Sequence, residues 1–427
     1  MSVEYGLIGE KLGHSFSKLI HERLADYTYE LHPLPKQELP SFMQAKQFRA
    51  INVTIPYKQD VISYCDELDN AAKAIGAVNT IVNRDGRLIG YNTDFAGFLY
   101  NLQVHGISMQ GKKVLICGSG GTCKTVTAVA KQQGAREIIV AGRMQRPGVI
   151  SYEQCVMHTD VEVVVNASPC GMYPECDAAP LDLTVFSQCS AVIDAIYNPL
   201  KTRLLQQAEA LGMQAVNGLQ MLVAQAKFAA EHFLLRPLPD EVIGQITVAL
   251  LKQLTNLVLI GMPSSGKTLT GQALSRYIDK EFVDTDAMIE ARAGIPIKEI
   301  FAQHGEAYFR ELEQQVIAEL AQKNGLIIAT GGGAVKNPQN MKRLKQNGVV
   351  VFIDRDLQHL LVTDDRPLSS SAEAVEQLYR ERYPLYRSYG DLWIANNYPM
   401  EISQQELDEL MRTILEGYDE ILRHQWA

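Results

Sequence analysis

The chain has 427 residues, 46% of them hydrophobic, with 40 Lys+Arg against 49 Asp+Glu and a formal net charge of -9. That length suits roughly two to four domains, and the acidic balance argues against general nucleic-acid binding, which requires a basic stripe. No apolar run nears the ~18 residues of a membrane span, and Met1–Gly9 lacks the charged and apolar regions of a secretory signal, so a cytoplasmic protein without membrane partners is expected.

The strand-like and helix-like stretches alternate almost throughout, the pattern of an α/β protein with doubly wound sheets. Up to Asn92 the short apolar strands are Tyr5–Ile8, Tyr29–Leu34, Ala50–Val53 and Ala77–Val82. A second run opens with Lys112–Cys117 and continues through Glu137–Ala141, Glu162–Asn166 and Ser190–Ala195. An amphipathic helix follows from Gly218 to Phe233, then a Pro237-Leu-Pro239 turn and a helix from Asp240 to Lys252. A third α/β block begins near Leu254, with no Gly/Ser linker before it. The 7 cysteines (Cys65, Cys117, Cys123, Cys155, Cys170, Cys176 and Cys189) are odd in number, form no C-x-x-C and all precede this block. They read as reduced, buried thiols, with no disulfide framework or zinc site.

In the first block, Asn52 and Thr54 alternate along one strand and so share a face, two residues before Pro56-Tyr-Lys58. Asp94 opens the helix after Asn92-Thr93, a position that suits a cap or first-turn carboxylate. In the second run, Gly118-Ser119-Gly120-Gly121 follows a strand and opens the helix Lys124–Gln133, as a dinucleotide phosphate loop does, although Cys123 fills its third glycine slot. The next strand ends in Arg143 and Arg146 where an acidic residue would hold a ribose 2′-hydroxyl, so NADP is favoured over NAD.

Seven ordered segments tie these features together. They are Gly13–His21, Asn52–Lys58, Gly76–Thr80, Asn92–Asp94, Asn166–Met172, Asp194–Pro199 and Gly218–Gln225. Over essentially all of residues 1–252 they resemble shikimate dehydrogenase. The resemblance implies a two-lobed fold, with a substrate lobe at 1–98 and 219–252 and a Rossmann NADP lobe at 99–218. It makes Lys58 the general acid for ketone reduction, oriented by Asp94. Ser15 and Ser17 would hold the substrate carboxylate, while Asn52, Thr54, Asn79, Asp94 and Gln225 meet its ring hydroxyls. Tyr197, Gly218 and Met221 would lie near the nicotinamide, and Gly118, Ser119, Gly120, Gly121, Arg143, Arg146 and Ser168 complete the NADP set. The chain departs from the family at Lys18, Cys123 and Gly142-Arg143-Met144.

The third block carries Gly261-Met-Pro-Ser264-Ser265-Gly266-Lys267-Thr268 between the apolar strand Asn256–Ile260 and a helix at Leu269–Arg276. Such a loop turns backbone N–H groups onto the phosphates of a nucleoside triphosphate, with Lys267 on the β/γ-phosphates and the Thr268 hydroxyl on Mg²⁺. Glu281–Asp286 reads as a strand ending in two carboxylates, Asp284 and Asp286, that project the same way at i, i+2. Arg310 and Glu313 share a helix face, and the strand Leu326–Ala329 runs into Gly331-Gly332-Gly333.

With Arg366-Pro-Leu368 and Arg382-Tyr-Pro384-Leu-Tyr386, this order resembles shikimate kinase from residue 255 to about 400. By that resemblance residues 253–427 form a P-loop, nucleoside-monophosphate-kinase-like domain with a parallel sheet. Arg310 and Arg382 would clamp the substrate carboxylate, Asp286 would bind ring hydroxyls and act as base, and Gly331–Gly333 would line the acceptor. Asp284 would hold Mg²⁺ with Thr268. Gly261, Ser264, Ser265, Gly266, Lys267, Thr268, Thr270 and the lid residue Arg366 would bind ATP. Ser264-Ser265 and the acidic stretch before Arg366 are departures from the family pattern.

Together the halves are expected to reduce 3-dehydroshikimate with NADPH and to phosphorylate the resulting shikimate. A ligand-sensing regulator on the same folds would be expected to lack Lys58, Asp94, Lys267 or Arg310, and an NAD-dependent quinate/shikimate dehydrogenase is the remaining alternative for the first half. Oligomeric state is not legible in the sequence.

Overall fold

The computed structural model describes residues 4–13, 16–144, 146–360, 371–399 and 402–425. Contacts divide the chain into two units, Met1–Tyr197 with Thr202–Thr247, and Asn198–Lys201 with Val248–Ala427.

The first unit contains two six-stranded sheets. Strands β1 (Tyr5–Gly9), β2 (Glu30–Pro33), β3 (Ala50–Val53), β4 (Glu67–Leu68), β5 (Thr80–Arg84) and β6 (Arg87–Tyr91) are ordered β2-β1-β3-β5-β6-β4. Helices α1 (Ser17–Leu24), α2 (Leu39–Ala45), α3 (Asn70–Ile75) and α4 (Thr93–Val104) connect and follow them. Two details differ from the sequence reading. The strand expected at Ala77–Val82 begins three residues later, because Ala77–Asn79 is loop, and it continues into an antiparallel hairpin with β6. Asp85 and Gly86 make that turn with positive φ of 51° and 87°, the backbone a tight Asp-Gly hairpin demands.

The second sheet is wholly parallel: β7 (Lys113–Cys117), β8 (Glu137–Ala141), β9 (Val149–Ile150), β10 (Val163–Asn166), β11 (Ala191–Asp194) and β12 (Gln214–Val216), in the order β12-β11-β10-β7-β8-β9. Its central strands are buried along their whole length, as a parallel sheet covered on both faces requires. Val114, Ile116, Val163 and Val165 face a layer that includes Phe98 and Leu102 of α4 and Val126 and Val129 of α5 (Gly121–Gln132). Leu115, Val164 and Val192 face Leu204, Leu205 and Ala208 of α6 (Arg203–Ala210) on the opposite side. Helix α7 (Leu219–Leu234) then returns along α4 and α1, and α8 (Glu241–Leu254) carries the chain across the division.

In the second unit β13 (Asn256–Ile260), β14 (Glu281–Asp284), β15 (Leu326–Ala329), β16 (Gly348–Asp354) and β17 (Leu392–Ala395) form a parallel sheet ordered β14-β15-β13-β16-β17. Helices α9 (Lys267–Tyr277), α10 (Thr285–Ala293), α11 (Ile297–Leu320), α12 (Pro338–Leu344), α13 (Ala372–Tyr389) and α14 (Gln404–Gln425) accompany it. Helix α11 is broken at Gly305, whose φ of 80° and ψ of 174° are not helical.

Gly218, immediately before α7, marks a close approach. A Cβ there would lie 2.2 Å from the Ala195 carbonyl oxygen, a backbone atom that cannot swing aside. Gly218→Ala is therefore expected to destabilise the first unit by about 1–3 kcal/mol, the usual cost of overpacking. Urea unfolding followed by a probe in each unit would show the first transition move and the second stay in place.

Candidate active sites

Lys58 and Asp94 meet in a cavity of about 630 Å³ in the first unit, with Nζ 2.6 Å from Asp94 Oδ2. Asp94 stands in the first turn of α4, as its sequence position predicts. The cap itself comes from another element: Asn79 Oδ1 accepts the Thr93 N–H at 2.8 Å. The Asn79 amide also donates to Asp94 Oδ1 at 2.9 Å, so the carboxylate is held from both sides. Asn52 lies opposite Thr80 in the β3–β5 register and donates to the Thr80 hydroxyl at 3.0 Å and the Asn79 carbonyl at 3.2 Å.

Ser17, Asn52, Thr54, Asn79, Tyr197, Gly218, Met221 and Gln225 all line the same cavity. The structure thus brings together every dehydrogenase substrate residue expected from sequence except Ser15, which lies outside the described residues. Gln225 is the one that spends its amide nitrogen on its own helix, donating to Leu222 O at 2.8 Å. Lys11, Thr122 and Met172 also line the cavity and were not expected to touch the substrate.

The glycine loop begins where the strand order reverses between β7 and β10, the position at which open α/β sheets bind ligands. Gly118, at φ 106°, sits so close to the β10 end that a Cβ would be 2.9 Å from Ala167 O and from Ser168 Cβ. Gly120 and Gly121 face open space at the α5 N-terminus. Ser168 donates from Oγ to Asn166 Oδ1 at 2.7 Å. Ser119 lies near Gly142 at the end of β8, and Arg143 and Arg146 are exposed just beyond. Cys123 is buried against the sheet at the third slot, and burial pushes its thiol pKa up.

Next to this crevice Asp194 is fully buried and accepts from Asn166 Nδ2 at 3.0 Å, Ile196 N–H at 3.0 Å and Thr202 Oγ1 at 2.7 Å. Burial outweighs these three donors and pushes its pKa to about 7. Its bonds hold both ends of the loop that carries Tyr197.

In the second unit the phosphate loop joins β13 to α9, and Lys267 Nζ donates to the carbonyls of Gly261 at 3.0 Å and Met262 at 2.8 Å. Ser264, at the departure from the family loop, holds a left-handed φ of 63°. Ser265 and Thr270 are buried beside it. Thr268 Oγ1 donates to Asp284 Oδ2 at 2.8 Å.

The expectation that Asp284 and Asp286 project together from one strand is corrected. Strand β14 ends at Asp284, whose Oδ1 accepts the N–H of Asp286 at 2.9 Å and caps α10. An aspartate at an N-cap satisfies otherwise orphaned N–H groups, which favours turning into helix there. Asp286 therefore sits in the first helical turn.

The three glycines each admit a neighbour. A Cβ on Gly331 would lie 2.5 Å from Asp286 Oδ1, and one on Gly333 would lie 2.4 Å from Arg310 Nη1. Gly332 O accepts the Tyr386 hydroxyl at 2.5 Å. Arg310 Nη1 donates to both oxygens of the buried Glu313, at 3.1 and 3.0 Å, and its Nη2 donates to Glu306 Oε1 at 3.1 Å. Burial raises the Glu313 pKa, with Arg310 opposing the shift. Arg382 is 2% exposed, and its buried Nε and Nη2 meet no hydrogen-bond partner among the described residues. Arg366 and Leu361–Asp365 lie outside the described residues.

A further cavity of about 310 Å³ adjoins the loop from Ser264 to Thr270 and is lined by Arg355, Asn396, Tyr398, Ile402 and Leu407. None of these last five was singled out in the sequence. Asn396 Nδ2 donates to Ser265 O at 2.8 Å, and Arg355 braces the wall through Asn396 O and Tyr398 O, each at 3.0 Å.

Comparison with known proteins matches the two units separately. A family model described as "Shikimate dehydrogenase substrate binding domain" covers residues 7–81, and one described as "Shikimate kinase" covers 263–416. The NADP(+) shikimate dehydrogenase of Clostridium beijerinckii is 35% identical over 244 residues, spanning 53% of this chain and 90% of that protein. A chorismate mutase/shikimate 5-dehydrogenase fusion from Clostridium acetobutylicum superposes with a TM-score of 0.55 at 33% identity, over 58% of this chain and 97% of its own. Shikimate 5-dehydrogenase from Listeria monocytogenes, solved with shikimate and NAD, gives 0.53 at 30% identity, over 57% and 96%.

The buried Asp194 generates a pH prediction. Its folded pKa of about 7 lies above the ordinary 3.8, so the stability it contributes is fully present below pH 3.8 and is lost as pH rises through 7. Asp194→Asn cannot ionise and should gain on the parent protein across that window, by at most about 1.4 kcal/mol per pH unit, the value for one whole proton. Thermal unfolding of the first unit in a pH series checks this; a constant gap between parent and variant would refute the assignment.

Proposed function

Because the chain belongs to the shikimate dehydrogenase family in its first unit and carries a shikimate kinase domain in its second, we propose that it reduces 3-dehydroshikimate with NADPH and then phosphorylates the product at its 3-hydroxyl with ATP and Mg²⁺. The chain is a bifunctional enzyme of the shikimate pathway. Within it we assign residues 1–252 to the dehydrogenase and 253–427 to the kinase. The observation that carries the dehydrogenase half is the Lys58–Asp94 pair at 2.6 Å in a cavity that also reaches Gly218 and Met221.

NADPH supplies the hydride when bound. Gly120 and Gly121 leave open space at the α5 N-terminus for a pyrophosphate, and the exposed Arg143 and Arg146 suit a 2′-phosphate. Lys58 Nζ–H would give a proton to the oxygen of the ketone as it becomes an alkoxide, and its 2.6 Å bond to Asp94 Oδ2 supports that reading by directing the donor. Asn52, Thr54, Asn79, Asp94 and Gln225 orient the ring hydroxyls, and Ser17 with Ser15 receives the carboxylate.

In the kinase half, Arg382 offers two unanswered N–H groups in a buried place, which suits the planar fork of a carboxylate. Arg310 stands with it. Asp286 would take the proton of the 3-hydroxyl while Lys267 and the loop N–H groups hold the phosphates. Thr268 and Asp284 offer the oxygen ligands a hard cation prefers, and Mg²⁺ there would neutralise developing charge. Arg366 would close over the transferring group, and the 310 Å³ cavity at Arg355, Asn396 and Tyr398 would take the base. Small molecules are the proposed partners, with no nucleic acid or membrane, in the cytoplasm. Among the described residues no helix is long and apolar enough to cross a membrane.

The two sites are expected to fail independently. Lys58→Ala should cut ketone reduction by roughly 10²–10⁴-fold, the worth of a positioned general acid, and leave phosphorylation intact. Lys267→Ala should reverse the pattern, with a loss of at least about 10²-fold. A coupled assay with 3-dehydroshikimate, NADPH and MgATP, following both products, reads both; loss of both activities from either change would defeat the assignment.

A further inference from the structure

Behind the dehydrogenase substrate residues lies a buried aromatic layer to which the reaction above gives no task. Tyr29 is 0% exposed, and its hydroxyl donates to Asn52 Oδ1 at 2.7 Å. The Asn52 amide nitrogen therefore points the other way, to Asn79 O and Thr80 Oγ1. Asn79 reaches Asp94 Oδ1, and Asp94 Oδ2 holds Lys58 Nζ. An unbroken line of hydrogen-bonded residues runs from Tyr29 to the proton donor.

The Tyr29 ring is fixed in its turn. His21 of α1 stacks on it at 4.1 Å with 8° between planes, and Phe233 of α7 covers His21 at 5.6 Å and 19°. His21 Nδ1 lies 2.7 Å from the Tyr27 hydroxyl. That bond fixes the imidazole plane against the Tyr29 ring. Burial lowers the His21 pKa to about 3, so the stack is uncharged at neutral pH.

We propose that Tyr29, seated by His21, is a positioning residue of the dehydrogenase, holding the Asn52 amide so that Asn79 and Asp94 present Lys58 correctly. The inference rests on the reading of Lys58 as proton donor. Its physical basis is the cost of an orphaned buried acceptor. Without the Tyr29 hydroxyl, Asn52 Oδ1 loses its closest donor. Flipping the amide does not help, because that would set the oxygen against the Asn79 carbonyl. The side chain relaxes by turning toward the cavity, and the Asn79 carbonyl, which also accepts the Val53 N–H at 2.8 Å, loses one of its two donors.

Tyr29→Phe tests this, since it keeps the ring, the stack and the volume and removes one oxygen. The expected result is a fall of roughly five- to tenfold in kcat/KM for 3-dehydroshikimate, the worth of one buried hydrogen bond, with KM for NADPH unchanged. The unchanged KM for NADPH, which binds in the same unit, reports on its folding, and the kinase activity of the same molecule should stay at the parental value. In an Asn52→Ala background the same change should have no further effect. Unchanged reduction kinetics in Tyr29→Phe, or full additivity with Asn52→Ala, would overturn the proposal. Should the variant fold poorly, the same cycle run with His21→Gln, which removes the ring stacked on Tyr29, gives an independent reading; coupling to Asn52 supports the proposal and additivity overturns it. Full activity in Lys58→Ala would sink the proton-donor reading instead, whatever Tyr29→Phe shows.

Discussion

Charge taken out of water must be answered, and both sites are organised by how that is done. Around Lys58 the answer is complete: one carboxylate oxygen faces the ammonium and the other faces an amide. Around Arg382 the answer is incomplete, because two buried N–H groups have no acceptor. The first arrangement suits a group that must aim a proton, and the second suits one that must receive an anion. The sheets serve these ends by placing β3, the loop before β5 and the start of α4 in one cavity, and the loops after β13, β14 and β15 in the other.

One cyclic acid would thus be held twice by different means. The dehydrogenase cavity offers hydroxyls and amides from Ser17, Asn52, Thr54, Asn79 and Gln225. The kinase site offers guanidinium groups from Arg310 and Arg382. Amides and hydroxyls read the ring oxygens by donor and acceptor pattern. Guanidinium forks read the carboxylate by shape and charge. The first grip would leave a carbonyl open to reduction, and the second would leave a hydroxyl open to attack on phosphorus.

Much of this was legible in the sequence because the signals were local. Val114–Cys117 and Leu257–Ile260 are unbroken apolar runs, and each leads directly into its glycine loop. The residues lining the dehydrogenase cavity sit within short ordered segments. What was not legible depended on competition or on distance. The β5–β6 hairpin was signalled by Asp85-Gly86, which the strand count passed over. The run Asp284-Thr285-Asp286 looks like the end of a strand by composition, but the capping bond at Asp284 wins and turns the chain into helix. Arg355, Asn396 and Tyr398 come from separate loops, and nothing in their spacing marks them until β16 and β17 bring them beside the phosphate loop.

Cys123, set into the cofactor loop where glycine is usual, has a chemical consequence that extends to the other cysteines. Burial raises the pKa of Cys65, Cys117, Cys123, Cys155, Cys170, Cys176 and Cys189 alike. Nucleophilic attack by sulfur needs the thiolate, so each of these groups is slow toward peroxide and alkylating agents while the fold is intact. In the proposed reductase, a sulfur atom at this slot would thus sit beside the nucleotide in its unreactive thiol form.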